Sequence, residues 1–237
     1  MTELVFRDNA YTRSCEATVT AAGEAGIELD RTVFYPMGGG QPGDTGYLVF
    51  DGGSAEIVGT RKGDVPDTVL HTVAEGSSQP PPGTAVTAKI DWERRHRIMR
   101  VHTCLHLLSA LLPYPVTGGQ ISDTKGRLDF DIPEAILDKE ALTLQLNELI
   151  SEGAAVVPEW ITDEELAAQP DLVKTMSVKP PTGTGQVRLI RISGRDLQPC
   201  GGTHLANISE IGQVVVSKIE KKGRQNRRVV VTLAGAS

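Results

Sequence analysis

The 237-residue sequence predicts an α+β fold, with a strand-rich domain over residues 1–90 and a mixed domain over residues 91–237. Three observations predict it. Short β-type runs punctuated by Gly and Asp fill the first ninety residues. A single long helical stripe follows them. Strands then return in the last third, after further helical segments.

In chain order, the candidate strands of the first domain are 3–7, 15–21, 31–35, 45–50, 55–60, 68–73 and 84–90. Their short, even spacing suits a small barrel or a sandwich. The Ser/Pro-rich stretch Gly76–Gly83 reads as an exposed connection. Asp91 is placed to N-cap a long helix. On that helix Ile98, Val101, Leu105, Leu108 and Leu112 recur at alternating spacings of three and four, one continuous core stripe, and Pro113 ends it. A second helix is expected from Pro133 to about Glu152, with Gly153 just past its end. Thr162 and Glu165 have capping-box spacing, which predicts a short third helix. Pro180–Gly185 reads as a flexible loop. Strands are expected at Val187–Ile192, Gly212–Lys218 and Arg227–Leu233, the last two joined as a hairpin through Lys222–Asn226. The resulting sheet is mainly antiparallel, and no internal repeat is visible.

Composition narrows the functional classes. At 39% hydrophobic and 23% charged residues, the chain reads as an ordinary globular protein. No apolar run approaches the roughly 18 residues of a membrane span, so no membrane partner is expected. Met1–Arg7 lacks the charged start and apolar stretch of a signal peptide. Three Cys at unrelated spacings argue against a disulfide framework and for a reducing, cytoplasmic setting. The net charge of −6 argues against a nonspecific nucleic-acid coat, though not against a local basic groove. Two clusters run against the total: Arg94, Arg95, Arg97 and Arg100, and Lys218, Lys221, Lys222, Arg224, Arg227 and Arg228. Each is either a solvated face or a phosphate-binding surface.

The strongest chemical signal is a pair of pairs. His102 and His106 stand four apart on the predicted helix, so both imidazoles share a face. Cys200 and His204 frame a second short segment, in which Gly201 and Gly202 let the chain bend tightly. Together these use three of five His and one of three Cys. A thiolate with three imidazoles is a borderline-soft donor set that favours Zn2+ over magnesium or calcium. Four protein ligands suit a structural site; a catalytic one would need a displaceable ligand or an expanded shell. Thr103 stands where a zinc protease would carry Glu, which argues against that mechanism.

The other reactive residue types have plainer readings. Cys104, between the two helical His, and Cys15, in a predicted strand, read as small core residues. His71 and His96 read as core or surface residues without a chemical role. The run Phe34–Gly46 contains Gly38, Gly39, Gly40, Gln41 and Asp44. It lacks the Lys-Ser/Thr of a P-loop and the spacing of a dinucleotide fingerprint. It is a tight turn between strands, or a place where backbone approaches another surface closely.

Read together, four motifs in order resemble the editing domains of alanyl-tRNA synthetases, and more closely the free-standing AlaX alanyl-tRNA editing proteins. The pieces are Thr32–Pro36 with Gly38–Asp44, His102–His106, Gly126–Phe130, and Cys200–Asn207 with Glu210–Gly212. They span nearly the whole chain. The glycine-rich motif lies near the first residue, so no aminoacylation core is expected before it. The resemblance implies an N-terminal β-barrel domain, an α+β editing domain, and Zn2+ held by His102, His106, Cys200 and His204. Thr117–Ser122 departs from the family pattern, and within it Thr117 and Gln120 are candidate contacts.

The implied function is hydrolysis of the ester in tRNA(Ala) mischarged with serine, and with glycine as a further substrate. A pocket for a small apolar side chain rejects an isostere bearing an extra hydroxyl by only ~10²-fold, whereas a second site that hydrogen-bonds that hydroxyl discriminates by ~10⁴-fold or more. Thr117, Gln120 and Thr203 are candidates for that contact. Backbone N–H groups at Gly201 and Gly202 are candidates for oxyanion stabilisation. Arg97, Arg100, Lys221 and Lys222 are candidates for tRNA phosphate contact. Two other classes remain: a noncatalytic tRNA-binding module with structural zinc, and a zinc hydrolase acting on a small ester or amide.

Overall fold

The computed structural model describes residues 2–65, 68–132, 137–176 and 185–235, and its architecture is α+β. The chain divides into two compact units, Met1–His96 and Arg97–Ser237.

The first unit contains β1 (Glu3–Leu4), α1 (Val5–Asp8), β2 (Ser14–Gly23), β3 (Gly26–Leu29), β4 (Arg31–Thr32), β5 (Gly46–Phe50), β6 (Gly53–Lys62), β7 (Val69–Val73) and β8 (Ala85–Ile90). Six of these close into an antiparallel barrel in the order β2-β3-β7-β6-β5-β8. Closure leaves no sheet edge unpaired. Period-two alternation turns Val19, Ile27, Leu29, Leu48, Ile57, Val86, Ala88 and Ile90 inward, while Tyr47 and Val49 face out. Each fully buried Val, Leu or Ile side chain contributes about 1.5–3 kcal/mol.

Two expected strands change on folding. In place of a strand over 3–7, Val5–Asp8 makes a helical turn that buries Phe6 edge-on against Tyr35, with ring centroids 5.4 Å apart. The expected strand over 31–35 stops at Thr32 because side chains take the next backbone donors. The Phe34 N–H donates to Thr32 Oγ1 at 3.1 Å, and the Tyr35 N–H to Asp44 Oδ2 at 2.6 Å. Strand β3 lies between two of the expected strands, over residues that the sequence pattern does not mark as one.

Arg95 belongs to this core, not to a solvated basic face. It is wholly buried and ion-paired with Asp44, and its Nη2 also donates to the Val33 carbonyl at 2.7 Å. His71 is likewise internal. Its Nδ1 donates to the Ile27 carbonyl (2.9 Å) and its Nε2 accepts from Thr32 Oγ1 (2.8 Å). Burial pushes His71 down to about 4, with the Ile27 hydrogen bond opposing it. His96 stacks on Trp92.

Helix α2 (Trp92–Leu111) follows, with Asp91 Oδ1 accepting from the Arg94 N–H at 3.0 Å. All five stripe residues are buried, and so are Met99, Cys104 and Leu107, so the helix is enclosed well beyond one face. Then come β9 (Val116–Ile121), β10 (Lys125–Asp131), α3 (Lys139–Glu152), β11 (Val156–Thr162), α4 (Asp163–Ala167), β12 (Gln186–Ile192), β13 (Asp196–Pro199), β14 (Val214–Lys221) and β15 (Asn226–Leu233). One antiparallel sheet has the order β14-β15-β10-β9, and a second has the order β11-β12-β13. The expected start of α3 at Pro133 lies outside the described residues. The described helix begins at Lys139, where Asp138 Oδ1 accepts from the Ala141 N–H, and ends before Gly153. Most of the loop at 180–185 also lies outside them. The capping box of α4 is complete: Thr162 Oγ1 accepts from Glu165 N–H and Glu165 Oε2 from Thr162 N–H. Strand β14 starts at Val214, two residues later than read, because Gly212 ends a 3-10 turn at Ile208–Ile211 with φ of 68°.

The sheet closes tightly on α2 at Gly126. A Cβ there would lie 2.6 Å from Val101 Cγ1 and 2.9 Å from Leu105 Cδ1. Asn147 docks α3 on β14 by bonding both polar groups of Val214, Nδ2 to its carbonyl and Oδ1 to its N–H. Among the described residues no helix is long and apolar enough to cross a membrane.

Candidate metal centre

Three elements of the second unit bring four side chains together. Helix α2 supplies His102 and His106, one turn apart. The chain leaving β13 supplies Cys200, and the bend after it returns His204. One donor atom from each lies within 4.8 Å of all the others. Cys200 Sγ is 3.5 Å from His102 Nε2 and 3.3 Å from His204 Nε2. A tetrahedral ion with one thiolate at about 2.3 Å and imidazoles at about 2.0–2.1 Å sets its S and N ligands about 3.6 Å apart. The donor set and its spacing therefore fit a single divalent ion.

The surrounding hydrogen bonds fix which ring nitrogens face inward. Thr103 Oγ1 is 3.2 Å from His204 Nδ1, and Asp196 Oδ2 is 3.2 Å from His106 Nδ1. Both rings then present Nε2 to the centre. Arg188 holds the bend itself, donating to the carbonyls of Cys200 and Gly202 at 2.9 Å each.

Electrostatics favours a thiolate here. Burial raises the Cys200 thiol, but the His102 and His204 rings and hydrogen bonds from His102 and His106 together hold it well below its ordinary value. Burial keeps His204 well below the imidazole range, with His102 adding to the effect. His106 goes the other way: burial lowers it, yet Asp196 and Cys200 raise it to about 9. Asp196, opposed by burial, is held down to about 2 by His106, Lys174 and Gln198. Cys104, one residue past Thr103, is pushed up to about 12 by burial and stays a thiol. Cys15 is also raised, by burial first.

The remaining candidates fall in different places. Thr203 is buried beside His204, and Gly201 is exposed. The Gly202 N–H is aimed at Cys200 Sγ, 3.5 Å away, where it supports a thiolate, not an oxyanion. Thr117 and Gln120 lie on β9, a strand the sequence reading did not foresee. The Thr117 hydroxyl donates to the Asp129 carbonyl (3.1 Å) and accepts from Asn226 Nδ2 (2.9 Å), while Gln120 Oε1 accepts from Arg127 Nε (3.4 Å). Arg97 pairs with Asp123 at 3.3 Å. Arg100 donates to the Ile211 carbonyl at 2.8 Å, closing the 3-10 turn. Lys221 and Lys222 are exposed at the β14–β15 hairpin, Lys222 lying 3.6 Å from Glu220.

The glycine-rich motif forms a tight turn in the first unit. Gly38 and Gln41 exchange backbone hydrogen bonds, and Gly39 and Gly40 between them take φ of 57° and 82°, the left-handed pair of a type I′ turn. Its Asp44 is the buried partner of Arg95.

Asp196, Gln198, Lys174 and Arg188 belong to no motif that the sequence displays. A signal existed for two of them: Asp196 and Gln198 precede Cys200 by four and two, the period that places strand residues on one face.

Two family models match the chain. One, described as the threonyl and alanyl tRNA synthetase second additional domain, covers residues 187–230; the other, tRNA synthetases class II (A), covers residues 6–94. The alanyl-tRNA editing protein AlaX-M of Methanosarcina acetivorans is 33% identical over 98% of this chain and 99% of its own. That of Saccharolobus solfataricus is 33% identical over the same shares. An alanine–tRNA ligase of Saccharolobus islandicus is 33% identical over 93% of this chain, but over only 25% of the ligase. The chain belongs to the family of AlaX-M alanyl-tRNA editing proteins.

Proposed function

We propose that this protein is a cytoplasmic aminoacyl-tRNA deacylase that hydrolyses the ester of mischarged tRNA(Ala), with serine the preferred error and glycine a second, at a zinc site formed by His102, His106, Cys200 and His204. The carrying observation is the convergence of these four donors within 4.8 Å, in a chain of the editing-protein family. In this reading residues 1–90 form a barrel domain bearing the glycine-rich motif, and 91–237 form the editing domain with its long metal-bearing helix.

Bound zinc would supply Lewis-acid polarisation and a fixed point for the aminoacyl end. The protein groups supply the rest. The Thr117 hydroxyl has its proton committed to the Asp129 carbonyl, so it would accept, not donate, a hydrogen bond from a seryl hydroxyl. Asn226 Nδ2 already occupies one of its two lone pairs, so the second would take the seryl hydroxyl, and alanine, with no hydroxyl to offer, would forgo that bond. Gln120 and Thr203 are the other candidates for this contact. With the Gly202 N–H turned to sulfur, Gly201 is the remaining backbone donor of the pair for a developing oxyanion. Lys221, Lys222 and the exposed part of Arg97 would meet tRNA phosphates, with Arg100 a weaker candidate since it already holds Ile211.

One observation favours a second reading: four protein ligands complete a tetrahedron, as in structural zinc sites. A deacylation panel separates the two. Purified protein is incubated with Ser-, Gly- and Ala-tRNA(Ala), with zinc content measured on the same preparation. Release of serine with alanine retained supports the enzyme. Full retention of all three esters by zinc-replete protein that binds tRNA supports the noncatalytic module. Zinc-dependent hydrolysis of small esters, unaffected by tRNA, would place the activity elsewhere.

A further inference from the structure

The Asp196 contact to His106 is one link of a closed polar ring beside the four donors. Asp196 is buried on β13, and its two oxygens have different partners. Oδ1 takes the Lys174 Nζ at 2.6 Å. Oδ2 takes Gln198 Nε2 at 2.6 Å and faces His106 Nδ1 at 3.2 Å. Gln198 Nε2 also reaches Ser109 Oγ at 3.0 Å, and that hydroxyl donates to the His106 carbonyl at 2.9 Å. The ring therefore holds His106 by side chain and backbone at once.

Lys174 is itself fixed from outside the ring. Its carbonyl accepts from the Val116 N–H at 2.9 Å, and the Val116 carbonyl accepts from the Met176 N–H at 2.8 Å. This parallel bridge between Val116 and Thr175 pins the lysine backbone to β9, the strand that carries Thr117.

A buried carboxylate with one cation, one amide and one imidazole around it is costly unless every partner stays in place. Its acceptor-only chemistry requires the proton of His106 to sit on Nδ1, leaving Nε2 as the lone-pair donor. We propose that Asp196 is a positioning residue that sets the tautomer and rotamer of His106 for the metal, and that Lys174, anchored to β9, holds Asp196 in register. Residues in this relation to a ligating histidine commonly change metal affinity 10–100-fold.

This inference rests on the zinc reading, and its test distinguishes the two failures. Zinc affinity is measured on the full chain by competition with a chromophoric chelator, for the wild type, Asp196→Asn and Lys174→Met. Cobalt(II) loading of the same proteins gives a visible d–d spectrum that reports the ligand set. The wild type should bind one ion with the intense bands of a four-coordinate thiolate site. Asp196→Asn should bind about 10–100-fold more weakly, with bands weakened or shifted as His106 loses its orientation. Lys174→Met, which leaves the carboxylate in place, should show a smaller loss of the same kind. Unaltered affinity and spectrum in Asp196→Asn would overturn the positioning role, and Lys174→Met decides the matter should that variant fail to fold. A wild type that binds neither ion would instead overturn the zinc reading beneath it.

Discussion

Replacing Arg95 by Met should destabilise the barrel unit by about 3–5 kcal/mol, the cost of stripping one partner from a buried ion pair. The structure gives the reason for so large a value. Asp44 is only 1% exposed, and Arg95 approaches it with both Nε and Nη2. Without the guanidinium the carboxylate keeps, among the described residues, the hydrogen bond from the Tyr35 backbone N–H, and the carbonyls of Val33 and Ala10 lose a charged donor. The double change Asp44→Leu with Arg95→Met should lose much less than the sum of the single losses, since replacing a whole buried pair by apolar groups is often near neutral. The chain has two Trp, so a Trp160→Phe background leaves Trp92, in the first unit, as the fluorescence reporter of urea unfolding. A loss below about 1 kcal/mol for Arg95→Met, on the scale of an exposed pair, would refute the assignment of Asp44 and Arg95 to structure.

Lowering the pH should unfold the barrel through His71. Its folded value is about 4 against roughly 6.5 unfolded, so the unfolded chain takes up the proton first, and stability present above 6.5 is lost as pH falls toward 4. The loss should be about 2 kcal/mol at pH 5 and about 3 kcal/mol by pH 4; urea titrations in which His71→Asn shows the same pH dependence as the wild type would contradict it. Gly126→Ala should cost about 1–3 kcal/mol, because the new methyl meets Val101 and Leu105 on the helix that carries His102 and His106; an unchanged unfolding midpoint would show that the sheet can give way there. Charge reversal at Lys221 and Lys222 should weaken tRNA binding and reduce its salt slope by about two, and an unchanged slope would remove the hairpin from the tRNA surface.

The parts of the fold legible in the sequence were those written in local pattern. The stripe from Ile98 to Leu112, the Asp91 cap and the Thr162–Glu165 box each act within a few residues, and each stands in the structure. Strands β9 and β10 were not legible, because Gly118 and Gly119 in β9, and Gly126 with the charged Lys125, Arg127, Asp129 and Asp131 in β10, leave little of the apolar alternation that marks a strand. The basic cluster at Arg94–Arg100 misled for a tertiary reason. One of its four members is pulled into the core by a carboxylate 51 residues away, a pairing that charge counting does not reveal. The four metal-type donors were visible because His and Cys are few. Their supporting shell was less so: Asp196 and Gln198 carried a period-two hint, while Lys174 enters only through the bridge to Val116.

The most direct test of the metal centre is X-ray absorption at the zinc edge on the protein as purified. The predicted shell is one sulfur at about 2.3 Å and three imidazole nitrogens at about 2.0–2.1 Å, with the sulfur lost in Cys200→Ser. A sulfur-free, oxygen-dominated shell in the wild type, or no zinc after loading, would contradict a centre built from His102, His106, Cys200 and His204.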